Sequence, residues 1–296
     1  MSDKDFAIEY PLKVTYAVAG LEDDDAPTVL FISAPHSAES TPVPLAERID
    51  TWLLTLPALV AHLKCKHIVP LAGSAGTVYL LNCLYHFPSL LPPTPYAAIL
   101  TPWVHLRDSA AGIMSFVASD WMPKYLVANH CDALSGFMAT KVLPSFAASG
   151  GGRGGRGKDE VADDARAMEA FGMTRARRNE VARFWLKLMF TEETSGANAE
   201  ALLCAQKGPP TEERLGGVAK LRIQAVFVED DAMIGEGGRK FFEDCWKGRR
   251  CGDGIEFTSS VAGGTTHDSI GDPEKGFLEV VLREARKALE GGEVGA

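Results

Sequence analysis

The sequence predicts an α/β protein with a mainly parallel sheet, helices on both faces of that sheet and an inserted helical cap. Three observations support this fold class. Short β-branched or apolar runs alternate with helical patterns, this alternation stops between Trp103 and Lys220, and 296 residues suit one large α/β domain with an insertion. Strands that alternate with helices are typical of a parallel sheet covered on both faces.

The predicted strands are short apolar runs, and the predicted helices lie between them. The strands are Leu12–Ala19, Thr28–Ile32, Lys66–Leu71, Ala97–Leu100, Leu221–Val228 and Ile255–Val261. The helices are Pro44–Leu63, Gly76–Tyr85, Gly237–Trp246 and Pro273–Leu289. We therefore assign residues 1–103 and 221–296 to the core of the fold.

Residues 104–220 are predicted to form the helical cap. Its helical patterns cover Ser109–Phe146, Glu160–Phe171, Thr174–Phe190 and Ser195–Lys207. A run of glycine and arginine near residues 149–158 would lose too much backbone entropy in regular structure, so we expect a flexible loop there. The same run is similar to an RNA-binding arginine–glycine box, but further repeats of it are missing from the sequence.

Composition favours a soluble, folded protein. Hydrophobic residues make up 46% of the chain and charged residues 23%, and no apolar run is long enough to predict a transmembrane helix. The formal net charge of -9 argues against nucleic acid or an anionic membrane as a partner. The six cysteines are scattered and the N-terminus lacks an apolar signal region, which favours reduced thiols and a cytoplasmic location.

The clearest chemical signal surrounds Ser74. The segment Lys66–Leu71 is a predicted strand, Ala72-Gly73-Ser74-Ala75-Gly76 is a tight turn, and an apolar helix follows immediately. A nucleophilic serine of the G-x-S-x-G type requires this strand–turn–helix context, with small residues two positions before and after it. Alanine replaces the first glycine here. The alternatives are that Ser74 only caps the helix or that the turn binds phosphate.

Two later segments supply a candidate acid and a candidate base. The predicted strand at Ala225–Val228 runs into three carboxylates, of which Asp231 fits the acid best and Asp230 remains an alternative. Further along, a predicted strand and a glycine-rich loop lead to His267, just before the last helix. Taken alone, the carboxylates suit a solvated loop and the histidine a structural role. The order serine, acid, histidine makes the catalytic interpretation stronger.

In these segments the chain resembles the α/β-hydrolase family, and the resemblance covers nearly its whole length. It implies a nearly parallel sheet, a variable cap and hydrolysis of acyl groups, with no metal and no cofactor. Ser74 would be the nucleophile, His267 the base and Asp231 the group that orients the imidazole. A hydroxyl nucleophile in place of an aspartate argues against an epoxide hydrolase or a dehalogenase of this fold.

The oxyanion hole is where the sequence departs from the family. One donor is expected to be the backbone N–H of Ala75. The second is expected from the loop after Ile32, where we assign Ala34, although Pro35 has no N–H and a shifted register would use His36 instead. The chain also lacks one αβ unit of the family between this loop and the helix before Ser74, which predicts a smaller sheet.

These observations predict a hydrolase of a carboxylic ester, thioester or lactone, whose small acyl substrate is apolar or amphipathic. Acyl transfer or C–C bond hydrolysis by the same residues is a related possibility. The alternative class is a catalytically impaired protein of the same fold that binds a small ligand or a partner. His130-Cys131-Asp132 has no second cluster of metal ligands to accompany it. The sequence leaves the oligomeric state open.

Overall fold

The computed structural model describes the core of the chain and isolated parts of the insertion. The described residues are 12–14, 16, 18–19, 28–32, 40–41, 43–109, 165, 168–169, 172–174, 176–178, 180–181, 184, 220–247, 254–267, 269–272 and 275–290. Strands within them form a five-stranded sheet. The strands are β1 (Thr28–Ile32), β2 (Ile68–Gly73), β3 (Tyr96–Leu100), β4 (Leu221–Asp230) and β5 (Ile255–Thr266).

The sheet is parallel throughout, and its spatial order follows the chain order from β1 to β5. Parallel neighbours cannot be joined by a tight turn, so each crossover needs a long connection. The carboxyl ends of all five strands lie at the same edge of the sheet, where side chains distant in sequence can meet.

Helices supply most of these crossovers. The helices are α1 (Arg48–His62), α2 (Gly76–His86), α3 (Leu106–Ser109), α4 (Gly235–Cys245) and α5 (Phe277–Glu290). Of these, α5 follows the last strand. Short 3₁₀ turns lie at Leu45–Glu47 and Pro88–Leu90. Each of the longer helices buries one stripe: in α5 this stripe is Val281, Ala285 and Ala288, which recur at helical spacing.

Two apolar layers cover the sheet because successive residues of a strand point to opposite faces. On β4, Ala225 and Phe227 pack into the layer that contains α2 and α4, whereas Val226 and Val228 pack into the layer that contains α5. Every residue of β3 is buried. Strands buried on both faces explain why the sequence shows continuous apolar runs in this part of the chain.

The structure confirms the predicted parallel sheet with helices on both faces. The first predicted strand is wrong: the described residues within Leu12–Ala19 form no strand. Its apolar side chains found no sheet face to cover, since Val14 is 40% exposed and Val18 is 69% exposed. Instead, Lys13 bonds to Thr41 through main-chain and hydroxyl groups.

The structure describes only some of the residues in the helices predicted for residues 104–220. Apart from Thr174, the described residues within the predicted helices Glu160–Phe171 and Thr174–Phe190 are helical, among them residues 176–178. Most of Ser109–Phe146, all of Ser195–Lys207 and the glycine–arginine run lie outside the described residues. Among the helices that the structure does describe, none has the length and apolar character needed to cross a bilayer.

Candidate active site

Ser74 lies in the tight turn between β2 and α2. Its backbone has φ of 50°, a left-handed conformation that a serine adopts at a cost of about 1–3 kcal/mol. The Ser74 N–H donates to the carbonyl of Leu100 at 3.0 Å, which ties the turn to the end of β3. The helix α2 has no side-chain cap, so the structure does not support the alternative in which Ser74 serves as a helix cap.

Close packing explains the small residues on either side of Ser74. A Cβ atom on Gly76 would lie 2.2 Å from the carbonyl oxygen of Ile32, a distance that no side chain tolerates. The same Cβ would meet the methyl group of Ala72 at 3.4 Å, and Ala72 is fully buried. Glycine is therefore required at position 76, whereas alanine fits at position 72.

Asp231 follows the last residue of β4, and its carboxylate is almost fully buried. The side chain is 4% exposed. Its Oδ1 accepts the backbone N–H groups of Met233 at 2.8 Å and Ile234 at 3.1 Å. These bonds fix the carboxylate at the start of the turn that leads into α4. The neighbouring Asp230 belongs to β4 itself, where it pairs with Thr266.

A bulge in β5 brings His267 opposite Asp231. Val228 pairs with Ala262, but Asp230 pairs with Thr266, so β5 contains two more residues than β4 over this interval. Gly264, with φ of 65°, provides the left-handed conformation that such a bulge favours. The extra residues advance β5 along β4, and His267 emerges beside the carboxylate.

A continuous chain of hydrogen bonds joins the three side chains. His267 Nδ1 lies 3.0 Å from Asp231 Oδ2 and 3.2 Å from Oδ1, and His267 Nε2 lies 2.9 Å from Ser74 Oγ. An ionised carboxylate only accepts, so it places the imidazole proton on Nδ1 and leaves the Nε2 lone pair facing the hydroxyl. In that arrangement Ser74 can transfer its proton to His267.

The surroundings of Asp231 keep it ionised. Burial acts to raise the pKa of this carboxyl, but the hydrogen bond from His267, the attraction of its charge and the two backbone N–H donors outweigh burial. The net result is a pKa below the ordinary value of 3.8. At neutral pH the group is therefore a charged acceptor, which is the form that orients and stabilises an imidazolium.

Of the two predicted oxyanion donors, Ala75 lies among the described residues and Ala34 does not. Ala75 stands immediately before α2, and in the described part of the chain its N–H has no hydrogen-bond acceptor. A free N–H at the start of a helix is suited to bind developing negative charge. Ala34, with Pro35 and His36, lies outside the described residues, so the second donor remains a prediction.

Sequence reasoning missed two residues that support the turn. The buried Thr77 hydroxyl donates to the Ser74 carbonyl and accepts the backbone N–H of Trp103 at 2.9 Å. Thr101, immediately after β3, has φ of 46°, and its N–H donates to Val226. No sequence pattern indicates the bond from Thr77 to Trp103, because 26 residues separate the partners.

Two large apolar residues that could line a substrate pocket are among the described residues, Trp103 and Phe184. Trp103 is partly buried and packs against the core layer that contains α2. Phe184 is 61% exposed. Within the described part of the chain, no group of three or more His, Cys, Asp or Glu side chains could hold a metal ion. The His130-Cys131-Asp132 segment is not described.

Solved structures of one fold resemble this chain over nearly its full length. An α/β hydrolase from a Medee basin deep-sea metagenome library superposes with a TM-score of 0.52 at 11% identity, covering 90% of this chain and 91% of that one. An epoxide hydrolase from Vigna radiata gives a TM-score of 0.57 at 11% identity, with 89% and 92% coverage. A variant of an epoxide hydrolase from Bacillus megaterium gives 0.53 at 10% identity, with 89% and 94% coverage.

The chain therefore has the α/β-hydrolase fold, as the sequence predicted. At this level of identity, the likeness shows the fold and not the reaction. No protein-family model matches the sequence, and no curated protein sequence matches it. What the molecule does has to be argued from its own residues.

Proposed function

We propose that this protein is a serine hydrolase that cleaves a carboxylic ester, thioester or lactone. Ser74 is the nucleophile, His267 the general base and Asp231 the residue that orients the imidazole. The chain of hydrogen bonds from Asp231 through His267 to Ser74 carries this proposal, since each of its links is 3.0 Å or shorter. Such an arrangement makes a hydroxyl nucleophilic near neutral pH.

The reaction follows from these positions. His267 Nε2 takes the proton of Ser74 as Oγ attacks the carbonyl carbon, and the Ala75 N–H stabilises the oxyanion. When the tetrahedral intermediate collapses, His267 returns the proton to the leaving alcohol or thiol, and an acyl-enzyme remains. Water then attacks that acyl group with His267 again as base, which releases the acid and restores Ser74. We assign the second oxyanion donor to Ala34.

The choice of a serine restricts the substrate to a group with a carbonyl. A serine that opened an epoxide would form an ether with a ring carbon, and that ether offers water no carbonyl to attack. The enzyme would be trapped after one turnover. An acyl-serine ester, by contrast, is hydrolysed by the same histidine. This argument separates the chain from the epoxide hydrolases that share its fold.

A non-catalytic ligand-binding protein is the alternative. Pro35 favours it, because a proline in the donor position would remove half of the oxyanion hole. Each such donor contributes about 3 kcal/mol to transition-state stabilisation, so its loss would leave a correctly positioned Ser74 with little activity.

The test is labelling of the purified protein with a fluorophosphonate, located by intact and peptide mass. Stoichiometric adduct at Ser74, abolished in Ser74→Ala and in His267→Ala, is the expected result. Ser259→Ala provides a matched control, because this exposed serine bonds to Glu243, far from the site. A folded protein that forms no adduct at Ser74 would overturn the proposal.

A substrate panel then tests the restriction to carbonyl compounds. p-Nitrophenyl esters and thioesters of increasing chain length are expected to turn over, with better kcat/KM for apolar acyl groups. Styrene oxide is expected to give no diol. Diol formation that is lost in Ser74→Ala would contradict the acyl-serine mechanism.

A further inference from the structure

One ion pair links the insertion at residues 104–220 to the segment that carries His267. Arg178 Nη2 lies 2.5 Å from Asp272 Oδ2, although 94 residues separate the two in sequence. Both side chains are sheltered, with 26% and 16% exposure. The neighbouring pair of Arg177 with Glu180 differs on both counts, since it joins residues three apart and is 62% and 69% exposed.

Asp272 belongs to a series of tight turns that begins at His267. The Ser269 N–H donates to the Thr266 carbonyl, and the Asp272 N–H donates to the Ser269 carbonyl, each at 3.1 Å. The Lys275 N–H then donates to the Asp272 carbonyl at 2.9 Å. A displacement of Asp272 is therefore transmitted through two hydrogen bonds to the residue before His267.

Side-chain packing does little to hold the strand before His267, although its backbone pairs with β4 along most of its length. Most side chains of β5 are exposed, and the strand is interrupted by the bulge at Gly264. In the described residues, the segment after this bulge is held by one buried apolar side chain, Ile270 at 5% exposure, and by several polar contacts. Among them, the pair with Arg178 is the one that reaches it from the insertion.

Arg178 is itself held at the beginning of a helical turn. Its N–H donates to the Thr174 carbonyl at 2.9 Å, and the Arg177 N–H donates to the Thr174 hydroxyl at 3.3 Å. The guanidinium thus extends from a defined helix start rather than from an irregular loop. A sheltered ion pair is less screened by salt than a surface pair, so it can resist displacement of the turn.

We propose that Arg178 is a positioning residue: through Asp272 it holds the turn that follows His267 and so keeps His267 at its hydrogen-bonding distance from Ser74. This inference rests on the proposed function. Misplacing a catalytic group by about 1 Å can cost roughly 100-fold in rate, and Asp231 still restrains His267 in the absence of Arg178. We therefore expect a loss of about tenfold when the pair is broken.

The experiment measures Ser74 labelling by a small fluorophosphonate, with kcat and KM for an ester. Arg178→Gln, Asp272→Asn and the double variant are expected to lose about tenfold in labelling rate and kcat, with KM nearly unchanged. The double variant should lose no more than either single one, because both remove the same pair. Arg178→Lys should recover most of the rate, and the matched control Arg177→Gln should equal the wild type.

Unchanged rates in Arg178→Gln, or losses that add in the double variant, would overturn the inference. Hydrogen exchange at residues 264–276 separates it from the proposed function, because this readout needs no catalysis. Faster exchange in Arg178→Gln but not in Arg177→Gln supports the positioning role, even if wild-type Ser74 proves unreactive. Equal exchange in both variants, in a protein that labels normally, would refute the positioning role alone.

Discussion

The serine and the histidine reach the same site on strands of opposite character. Ser74 follows β2, in which Ile68, Val69, Leu71 and Ala72 are at most 1% exposed. His267 follows β5, which is exposed at most of its positions and buries Ala262 and Thr265. Apolar packing therefore dominates around Ser74, whereas polar contacts contribute more around His267.

This difference shows how one site can combine a strained backbone at Ser74 with a histidine segment that is held partly by polar contacts. Packing on both faces helps to keep Ser74 at a φ of 50°, because the neighbouring atoms leave little room for relaxation. On the histidine side, the Gly264 N–H meets the Glu229 carboxylate at 3.2 Å and its carbonyl meets the Lys275 ammonium at 3.1 Å. Such bonds to charged groups hold a segment while leaving it more mobile than a core.

The largest expected effect comes from the histidine side. Asp231→Asn keeps the shape of the side chain but stabilises the wrong imidazole tautomer, so kcat for an ester should fall by about 10,000-fold. Steady-state kinetics measure this loss, and thermal unfolding checks that the variant is folded. A loss of less than about tenfold would show that His267 does not depend on this carboxylate.

The next prediction compares the two strands directly. Leu71 on β2 is 1% exposed, so Leu71→Ala should lower the free energy of unfolding by about 2–5 kcal/mol. Val261 on β5 is 44% exposed, and Val261→Ala should cost less than about 1 kcal/mol. Urea denaturation of both variants tests the contrast, which similar losses would disprove.

The two glycines near Ser74 allow a second comparison, between a tightly packed and a loosely packed position, with a smaller expected effect. Gly76→Ala forces a methyl group against the Ile32 carbonyl and should cost about 1–3 kcal/mol, together with most of the Ser74 reactivity. Gly73→Ala is the matched control, because its methyl would meet Phe31 at an ordinary 3.5 Å. If the two variants proved equally stable and reactive, close packing at position 76 could not be the reason for its glycine.

Thr77 tests whether polar groups also matter on the serine side. Thr77→Val keeps the shape but leaves the partly buried Trp103 N–H without this acceptor, at a cost of about 1–2 kcal/mol. Thr77→Ser keeps the hydroxyl and should retain the Ser74 labelling rate better than Thr77→Val. Chemical denaturation and labelling rates measure both effects; a Thr77→Val variant indistinguishable from Thr77→Ser would rule out a role for the hydroxyl.

The smallest effect is a pH dependence with a defined sign. Because the folded pKa of Asp231 lies below 3.8, its ionisation stabilises the folded state above that pH, and the contribution is lost as the pH falls through the folded pKa. The stability difference between wild type and Asp231→Asn should therefore shrink as the pH falls below about 4. Urea titrations across this range test it, and a difference that grows towards acid would contradict the sign.

Sequence reasoning located strand centres better than strand ends. The buried runs at Thr28–Ile32 and Leu221–Val228 were recognisable because a parallel strand covered on both faces is apolar at every position. The end of β5 was not, since it continues to Thr266 through two glycines that weaken any strand pattern. At Leu12–Ala19 the apolar pattern was present, but none of the described residues there lies in a strand.

The sequence by itself determined the fold class, the elbow-like turn at Ala72–Gly76 and the chain order of Ser74, Asp231 and His267. These features are local, because they depend on side-chain size, backbone freedom and the succession of strands and helices. Only the tertiary structure places the Asp231 carboxylate within hydrogen-bonding distance of His267, since the two residues lie 36 positions apart in the sequence. It also decided the bulge at Gly264, the bond from Thr77 to Trp103 and the pairing of Arg178 with Asp272, because contacts between distant segments arise only when the sheet has assembled.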